Sequence, residues 1–430
     1  MDEENRSEPF FMRDPYAKIH ESVIFPAIDD EIWLQEIAML DYTPFPYSKN
    51  QVRKAGQRLK LDLPDAEEQR GDIEEIFRIA HSWRASHATP MRSVLGSLGS
   101  HMRRAALPGV TASRLKRMTS IRSKLRSSNI NLERVQDIAG CRAIVGKMEH
   151  VQRLTKILRQ TPPQNLERES PYIDAPRASG YRSHHMVFKF EGRGSQTVFN
   201  GRQVEVQLRT NLQHSWATAV EAAGLLIGNN LKSGQGDERW LRLMLLMSAE
   251  FAAKENCPAP DGVPGSVLRR REIRNLNQEL NAFKALNDFR YVVRDVGVVS
   301  NFDDRPEYYL VEYDKLQKTV RVTPKFNKPD SYRDYRRAEQ EDTEDGKDIV
   351  LIETARFDEI THDKLESLKM AYPNYFGDVR VFCEILAEVV GTDATTDYQI
   401  TTLRSRRQHA PKPDRRYPVG PGRRRIWMPK

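Results

Sequence analysis

Residues 134–146 read RVQDIAGCRAIVG, and the apolar run behind Asp137 is the stretch whose reading decides the fold. Its core, DIAGCRAIV, has the length and composition of a buried strand entered from a turn at the acidic end. Just upstream, residues 113–125 read SRLKRMTSIRSKL, with five positive charges and no negative one. No Asp or Glu occurs from His101 to Leu132, although charged residues make up 30% of the chain. A surface helix ordinarily mixes signs, because like charges one turn apart repel and opposite ones attract. A segment without that pairing is suited to an anionic ligand, and phosphate is the first candidate. Leu115, Met118, Ile121 and Leu125 recur at helical spacing, so the whole basic segment is expected to be a helix. Lys116, Ser120 and Lys124 would then stack along one face of it.

Outward from this centre, 150–160 reads as a short helix, and HHMVFKFE (184–191) and RQVEVQLRT (202–210) read as strands joined by turn material. LQHSWATAVEAAGLL (212–226) returns to helical spacing. Helix, strand, helix, strand, strand, helix describes an α/β or α+β domain on a mixed sheet. Upstream, SKNQVRKAGQRL and EEIFRIAHSWRASH are expected helices. NCPAPDGVPG (256–265) is the clearest linker signal. Beyond it, EYYLVEYD (307–314) and KTVRVTPKF (318–326) suggest a hairpin, KDIVLIETA (347–355) a third strand, and HDKLESLKMAYPNYF and VRVFCEILAEVV helices. The expected divisions are an acidic segment at 1–48, a main domain at 49–255, a linker at 256–266, a smaller α/β regulatory or interaction domain at 267–400, and a basic disordered tail at 401–430.

Composition excludes several classes. The chain has 430 residues and a formal net charge of +8. Residues 404–430 alone carry ten Lys/Arg against one Asp, so the rest of the chain sums to about −1. The basicity therefore belongs to the tail. The acidic start lacks an apolar signal-peptide core, and the apolar patch LRLMLLM (241–247) is far too short to span a bilayer. A cytoplasmic protein with no membrane segment is expected. Three distant cysteines fit reduced thiols, and with no CxxC or HExxH spacing a structural zinc site is not expected. No Walker A sequence occurs, and GRG at 192–194 is turn material rather than a dinucleotide loop.

Two carboxylates fall in or beside strands, where acids are disfavoured and costly to bury unpaired: Asp137 and Glu205. On neighbouring strands they could hold Mg²⁺, a hard ion that takes one or two carboxylates together with substrate phosphates. Singly, Asp137 also reads as a turn residue and Glu205 as a residue on the wet face of a sheet. GYRSHH (180–185) places Tyr181 behind a glycine-led turn, where an aromatic ring can stack on a base. Strand alternation sends His184 and His185 to opposite faces, so one at most reaches a given site. Cys141, in an apolar strand, reads as packing rather than nucleophile. The residues alone thus point to a magnesium-dependent enzyme acting on a polyphosphate nucleotide.

Four motifs in order, R-x-K-x-x-x-S-x-x-x-K, D-I-x-G-x-R, G-Y-R-S-x-H and V-E-V-Q-L-R-T, resemble the synthetase domain of the RelA/SpoT family over residues 110–225. The resemblance implies a nucleotidyltransferase-like mixed sheet flanked by helices. It also implies transfer of the β,γ-diphosphate of ATP to the 3′-hydroxyl of GDP or GTP, making (p)ppGpp. Carried onto this sequence, Arg114, Lys116, Ser120, Lys124 and Arg142 would bind ATP. Asp137 and Glu205 would be the catalytic, Mg²⁺-binding carboxylates, with Glu205 a plausible activator of the attacking hydroxyl. Tyr181, His185, Arg177 and Gln207 would bind the acceptor. The chain departs from the family's pattern on the acceptor side: APRASGYRS supplies Arg177 and Ser179 where a lysine and an asparagine are common, and Arg168, Glu169, Ser170 and Pro171 replace a basic R-x-K-D stretch. Two alternatives follow. One is a toxin-type relative that pyrophosphorylates the 3′ end of tRNA, with the C-terminal domain as inhibitor. The other is a non-catalytic nucleotide- or RNA-binding module. A homo-oligomer is compatible with either. A hydrolase half is not expected, since the His362–Asp363 pair is remote from any metal-ligand company.

Overall fold

In the computed structural model the described residues are 45–61, 70–227, 231, 236–292, 296–298, 308–314, 317, 319–341, 347–353 and 379–391. Most of the acidic head, the basic tail, the His362–Asp363 pair and the helix expected over HDKLESLKMAYPNYF lie outside them. Three helices lead in: α1 (Lys49–Leu59), α2 (Arg70–Ala85) and α3 (Ala88–Arg104). The first opens on a capping box in which Ser48 and Gln51 satisfy each other's backbone N–H groups.

The basic segment divides instead of forming one helix. Gly109–Leu115 is strand β1, and only Met118–Ser127 is helical (α4). The cause is tertiary. β1 pairs antiparallel with β2 (Ala139–Val145), Leu115 opposite Ala139, and the Lys116 N–H extends the ladder to the Ile138 carbonyl at 2.8 Å. Helical spacing of four apolar residues cannot outweigh a ready-made strand partner. Part of the charge run is also structural. Arg122 and Arg126 donate to the carbonyls of Leu59, Lys60 and Leu61, which the end of α1 leaves unpaired.

The remaining elements of the main layer are α5 (Met148–Gln160), β3 (Asn165–Pro171), β4 (His184–Lys189), β5 (Gln203–Thr210) and α6 (Asn211–Ile227). The sheet order is β1-β2-β5-β4-β3, with β2 and β5 parallel and the other neighbours antiparallel. This is the expected mixed sheet. Strand β3, NLERESP, escapes sequence reading because an exposed edge strand need not alternate apolar residues. Register separates the two faces. Ser113, Cys141, Val206 and Met186 lie side by side on the face covered by α3 and α5. Cys141 is buried there, its thiol facing the Met91 carbonyl, as packing requires. Arg114, Gly140, Glu205 and Val187 share the opposite face with Arg142, Gln207 and His185.

Beyond α7 (Glu238–Lys254) come α8 (Ser266–Leu280), α9 (Ala282–Val292), β6 (Val296–Val298), β7 (Tyr308–Asp314), β8 (Thr319–Lys325), α10 (Lys328–Glu341), β9 (Lys347–Glu353) and α11 (Arg380–Val390). Strands β6 to β9 form a second sheet, ordered β6-β8-β7-β9. The expected boundary at 256–266 does not divide two cores. Ile273, Phe289 and Phe382 from α8, α9 and α11 are buried with Trp216, Leu243 and Phe251 from α6 and α7. Likewise Ala112 of β1 and Leu225 of α6 pack against Tyr309, Val311 and Val350 of the second sheet. The described residues fall within one compact unit. No described helix is long and apolar enough to cross a membrane.

Candidate functional site

The sheet face that carries Glu205 forms the floor of a cavity of about 700 Å³, roofed by α6 and α7. Of the eleven residues singled out in the sequence, ten line it: Arg114, Lys116, Lys124, Asp137, Arg142, Arg177, Tyr181, His185, Glu205 and Gln207. Ser120, on α4, is not among the lining residues. Eight Lys/Arg side chains line the cavity against three acids, a balance that favours a polyanionic ligand.

One end is built around Asp137, in the turn that enters β2. Lys116 Nζ donates to its Oδ2 and Lys124 Nζ to its Oδ1, both at 2.9 Å. Lys116 leaves the end of β1 and Lys124 stands two turns into α4, so the break between strand and helix makes both ammonium groups converge on one carboxylate. Burial pushes the Asp137 carboxyl up, but the two ammonium groups outweigh it and hold the pKa at about 2. Burial pulls Lys116 below its ordinary value more than Asp137 restores.

The other end is a ring of hydrogen bonds. His185 Nδ1 lies 2.9 Å from Glu205 Oε1, and Gln207 Nε2 donates to Glu205 Oε2 at 2.7 Å. His185 Nε2 lies 2.7 Å from the Tyr181 hydroxyl. Arg209 Nη2 donates to that hydroxyl and, at 2.9 Å, to Gln207 Oε1. Burial pushes the Glu205 carboxyl up, and the bonds from His185 and Gln207 bring it below its usual value. Burial pulls His185 down, yet Glu205 and Tyr181 leave it raised. Burial also pushes the Tyr181 hydroxyl up, but Arg209 and His185 leave it lowered. The nearby Asp137 charge opposes ionisation of Glu205, which ties the two ends electrostatically.

Tyr181 is presented by a tight turn. The Gly180 N–H donates to the Arg177 carbonyl, and Gly180 adopts φ +87°, a region open to glycine. A Cβ there would also press on Ser248 Cβ at 3.0 Å and Trp216 at 3.3 Å. His184 turns to the opposite face, as alternation predicts, and its Nε2 lies 2.6 Å from Glu169. Residues that sequence reading missed complete the wall. Tyr172, at the end of β3, accepts a hydrogen bond from Arg177 Nη2 at 2.7 Å, with the guanidinium 4.2 Å from its ring centre. Arg168, His214, Glu221 and Arg242 line the cavity as well. For Arg209 the signal was present, since it continues the two-residue period of Glu205 and Gln207.

Among the described residues no group of three or more His, Cys, Asp or Glu could hold a metal by itself. Two hard carboxylates on one phosphate-ready cavity do fit Mg²⁺, which would complete its shell with phosphate and water oxygens.

Fold and site thus define an α/β protein with a cationic cavity that carries two carboxylates, Asp137 and Glu205. Residues 113–225 match the model of the region found in RelA / SpoT proteins. It is 26% identical over 134 residues to the GTP pyrophosphokinase YwaC of Bacillus subtilis, covering 30% of this chain and 63% of that protein. It is 31% identical over 123 residues to the GTP pyrophosphokinase YjbM of the same organism, covering 27% and 57%. The chain therefore spans less than two thirds of the length of these curated relatives. The small alarmone synthetase 1 of Bacillus subtilis bound to its product pppGpp overlaps 41% of this chain and 94% of its own, at 22% identity and a TM-score of 0.35.

Proposed function

We propose that the chain is a pyrophosphotransferase that moves the β,γ-diphosphate of ATP to the 3′-hydroxyl of GDP or GTP in the cytoplasm, with Mg²⁺ as cofactor. The observation that carries the reading is one cavity with two differently built ends inside the RelA/SpoT region. Asp137 sits between two lysines at one end, and Glu205 is held in a hydrogen-bonded ring at the other. On this reading Arg114, Lys116, Lys124 and Arg142 grip the donor phosphates, while Tyr181, His185, Arg177 and Gln207 hold the acceptor. The acceptor 3′-oxygen attacks the β-phosphorus, its proton passes to Glu205, and the bond to the α,β-bridging oxygen breaks, so that AMP leaves with the electron pair. Bound Mg²⁺, held by Asp137 and Glu205, would supply charge neutralisation on the phosphates. The fixed cations add electrostatic stabilisation without reorganising.

A second reading keeps the chemistry and makes the acceptor the 3′ end of tRNA, with the C-terminal region as inhibitor. One contact bears on its inhibitor part. Arg84, buried on α2, donates from Nε to the Lys116 carbonyl at 2.6 Å and from Nη2 to the Tyr335 hydroxyl of α10 at 2.6 Å. A C-terminal helix therefore grips the residue that holds the donor-side lysine.

The test is incubation of the purified chain with γ-labelled ATP and either GDP/GTP or total tRNA. Label in a guanosine product supports the first reading, and label in tRNA alone supports the second. Asp137→Ala should abolish either. Tyr335→Ala should raise turnover if the C-terminal region inhibits; a fall would remove that part of the second reading.

A further inference from the structure

We propose that Arg209 is a positioning residue. It starts two hydrogen-bond chains that both end on Glu205, and so fixes the direction of every bond in the ring and the aim of that carboxylate. The inference rests on the pyrophosphate-transfer reading for its kinetic consequence, but not for its geometry.

The argument is one of donors and acceptors. A guanidinium only donates, so both the Tyr181 oxygen and Gln207 Oε1 must accept from Arg209 Nη2. With Oε1 accepting, the Gln207 amide presents its NH₂ to Glu205 Oε2 at 2.7 Å. With its oxygen accepting from Arg209, the Tyr181 hydroxyl hydrogen goes to His185 Nε2 at 2.7 Å. Neutral His185 must then carry its proton on Nδ1, which donates to Glu205 Oε1 at 2.9 Å. Each group in the ring is used in one sense only, and the buried Arg209 cation faces the half-buried Glu205 carboxylate across it. Three of the five residues, Glu205, Gln207 and Arg209, are alternate residues of β5 on one face. His185 is the cross-strand partner of Gln207, and Tyr181 hangs from the preceding turn. Arg209 is only 4% exposed and also lies 5.1 Å from the Tyr181 ring centre, so its guanidinium is confined. Both Glu205 oxygens are claimed by the ring, which leaves the carboxylate one orientation toward the cavity. Removing any member frees that orientation, so the ring is expected to act as a unit.

The experiment is a double-variant cycle on the full chain with Arg209→Met and Tyr181→Phe. The second variant keeps the aromatic face and removes only the hydroxyl. Each single variant should lower kcat at least tenfold, with KM for ATP and acceptor within threefold of the parent. The double variant should be no worse than the poorer single, because a ring broken once is already broken. Losses that multiply, or a loss confined to KM, would overturn the proposal. If Arg209→Met does not fold, Tyr181→Phe alone must still show the loss in kcat. A second readout needs no turnover: ¹⁵N-histidine spectra of the full chain, with the His185 signal assigned from a His185→Gln variant. Neutral His185 should be the Nδ1–H tautomer; an Nε2–H tautomer would overturn the ring's direction. If the parent chain transfers no label to GDP, GTP or tRNA, the transfer reading fails, and the tautomer still decides the geometry.

Discussion

Replacing Asp137 by asparagine tests the lysine-paired end of the cavity through stability as well as activity. In the folded chain its pKa is about 2, against an ordinary value of 3.8. Net of the opposing cost of burial, the ammonium groups at 2.9 Å thus favour the ionised form by about 2 kcal/mol, at 1.36 kcal/mol per unit. Because the folded value is depressed, this contribution is complete well above pH 3.8 and is lost as pH falls toward 2. Asp137→Asn should therefore lower unfolding free energy by about 2 kcal/mol at pH 7, with roughly half that difference left at pH 3. It leaves Lys116, half-buried and already lowered, without its counter-charge. The assay is urea denaturation of parent and variant at pH 7, 5 and 3, alongside label transfer, which the variant should lose. A gap that stays constant from pH 7 to pH 3 would refute the electrostatic account of Asp137. A stability gap of the expected size with transfer intact would separate the charge pair from catalysis.

Gly140 sits on the cavity floor, and a Cβ there would meet nothing nearer than the Arg114 carbonyl at 3.7 Å. Gly140→Val should leave the denaturation midpoint unchanged or slightly raised, while transfer falls about 100-fold as the ligand is displaced. Tyr172→Phe removes the hydrogen bond that orients Arg177, so acceptor KM should rise about fivefold with ATP KM unchanged. Arg122→Ala and Arg126→Ala strip donors from the end of α1, so each should cost about 0.5–1 kcal/mol in urea denaturation with initial rates unaffected.

Much of the site was legible because strand geometry is local. Once 202–210 is read as a strand, covalent geometry alone puts Glu205 and Gln207 on one face, and the same rule sends His184 and His185 apart. Asp137 was visible as an acid before an apolar run, and Gly180 as the turn that presents Tyr181. The charge run was legible as unusual, though not as the mixture it is: Lys116 and Lys124 serve Asp137, while Arg122 and Arg126 serve the end of α1.

What sequence could not decide are the contacts between distant segments. Whether 113–115 becomes helix or strand depends on a free edge of β2, which no local propensity records. Strand β3, and with it Tyr172 in the turn that follows, is hidden because an exposed edge carries no apolar period. The proline- and glycine-rich stretch 256–265 reads as a domain boundary, yet α8, α9 and α11 bury their apolar faces against α6 and α7, because an amphipathic stripe states only that it needs a partner. The bond between Arg84 and Tyr335 spans 251 positions. The chain's residue types and their two-residue period determined which groups share a face, since that follows from the geometry of a single strand. Which of those groups meet, and at what distance, was decided only when five strands and their covering helices fixed one register.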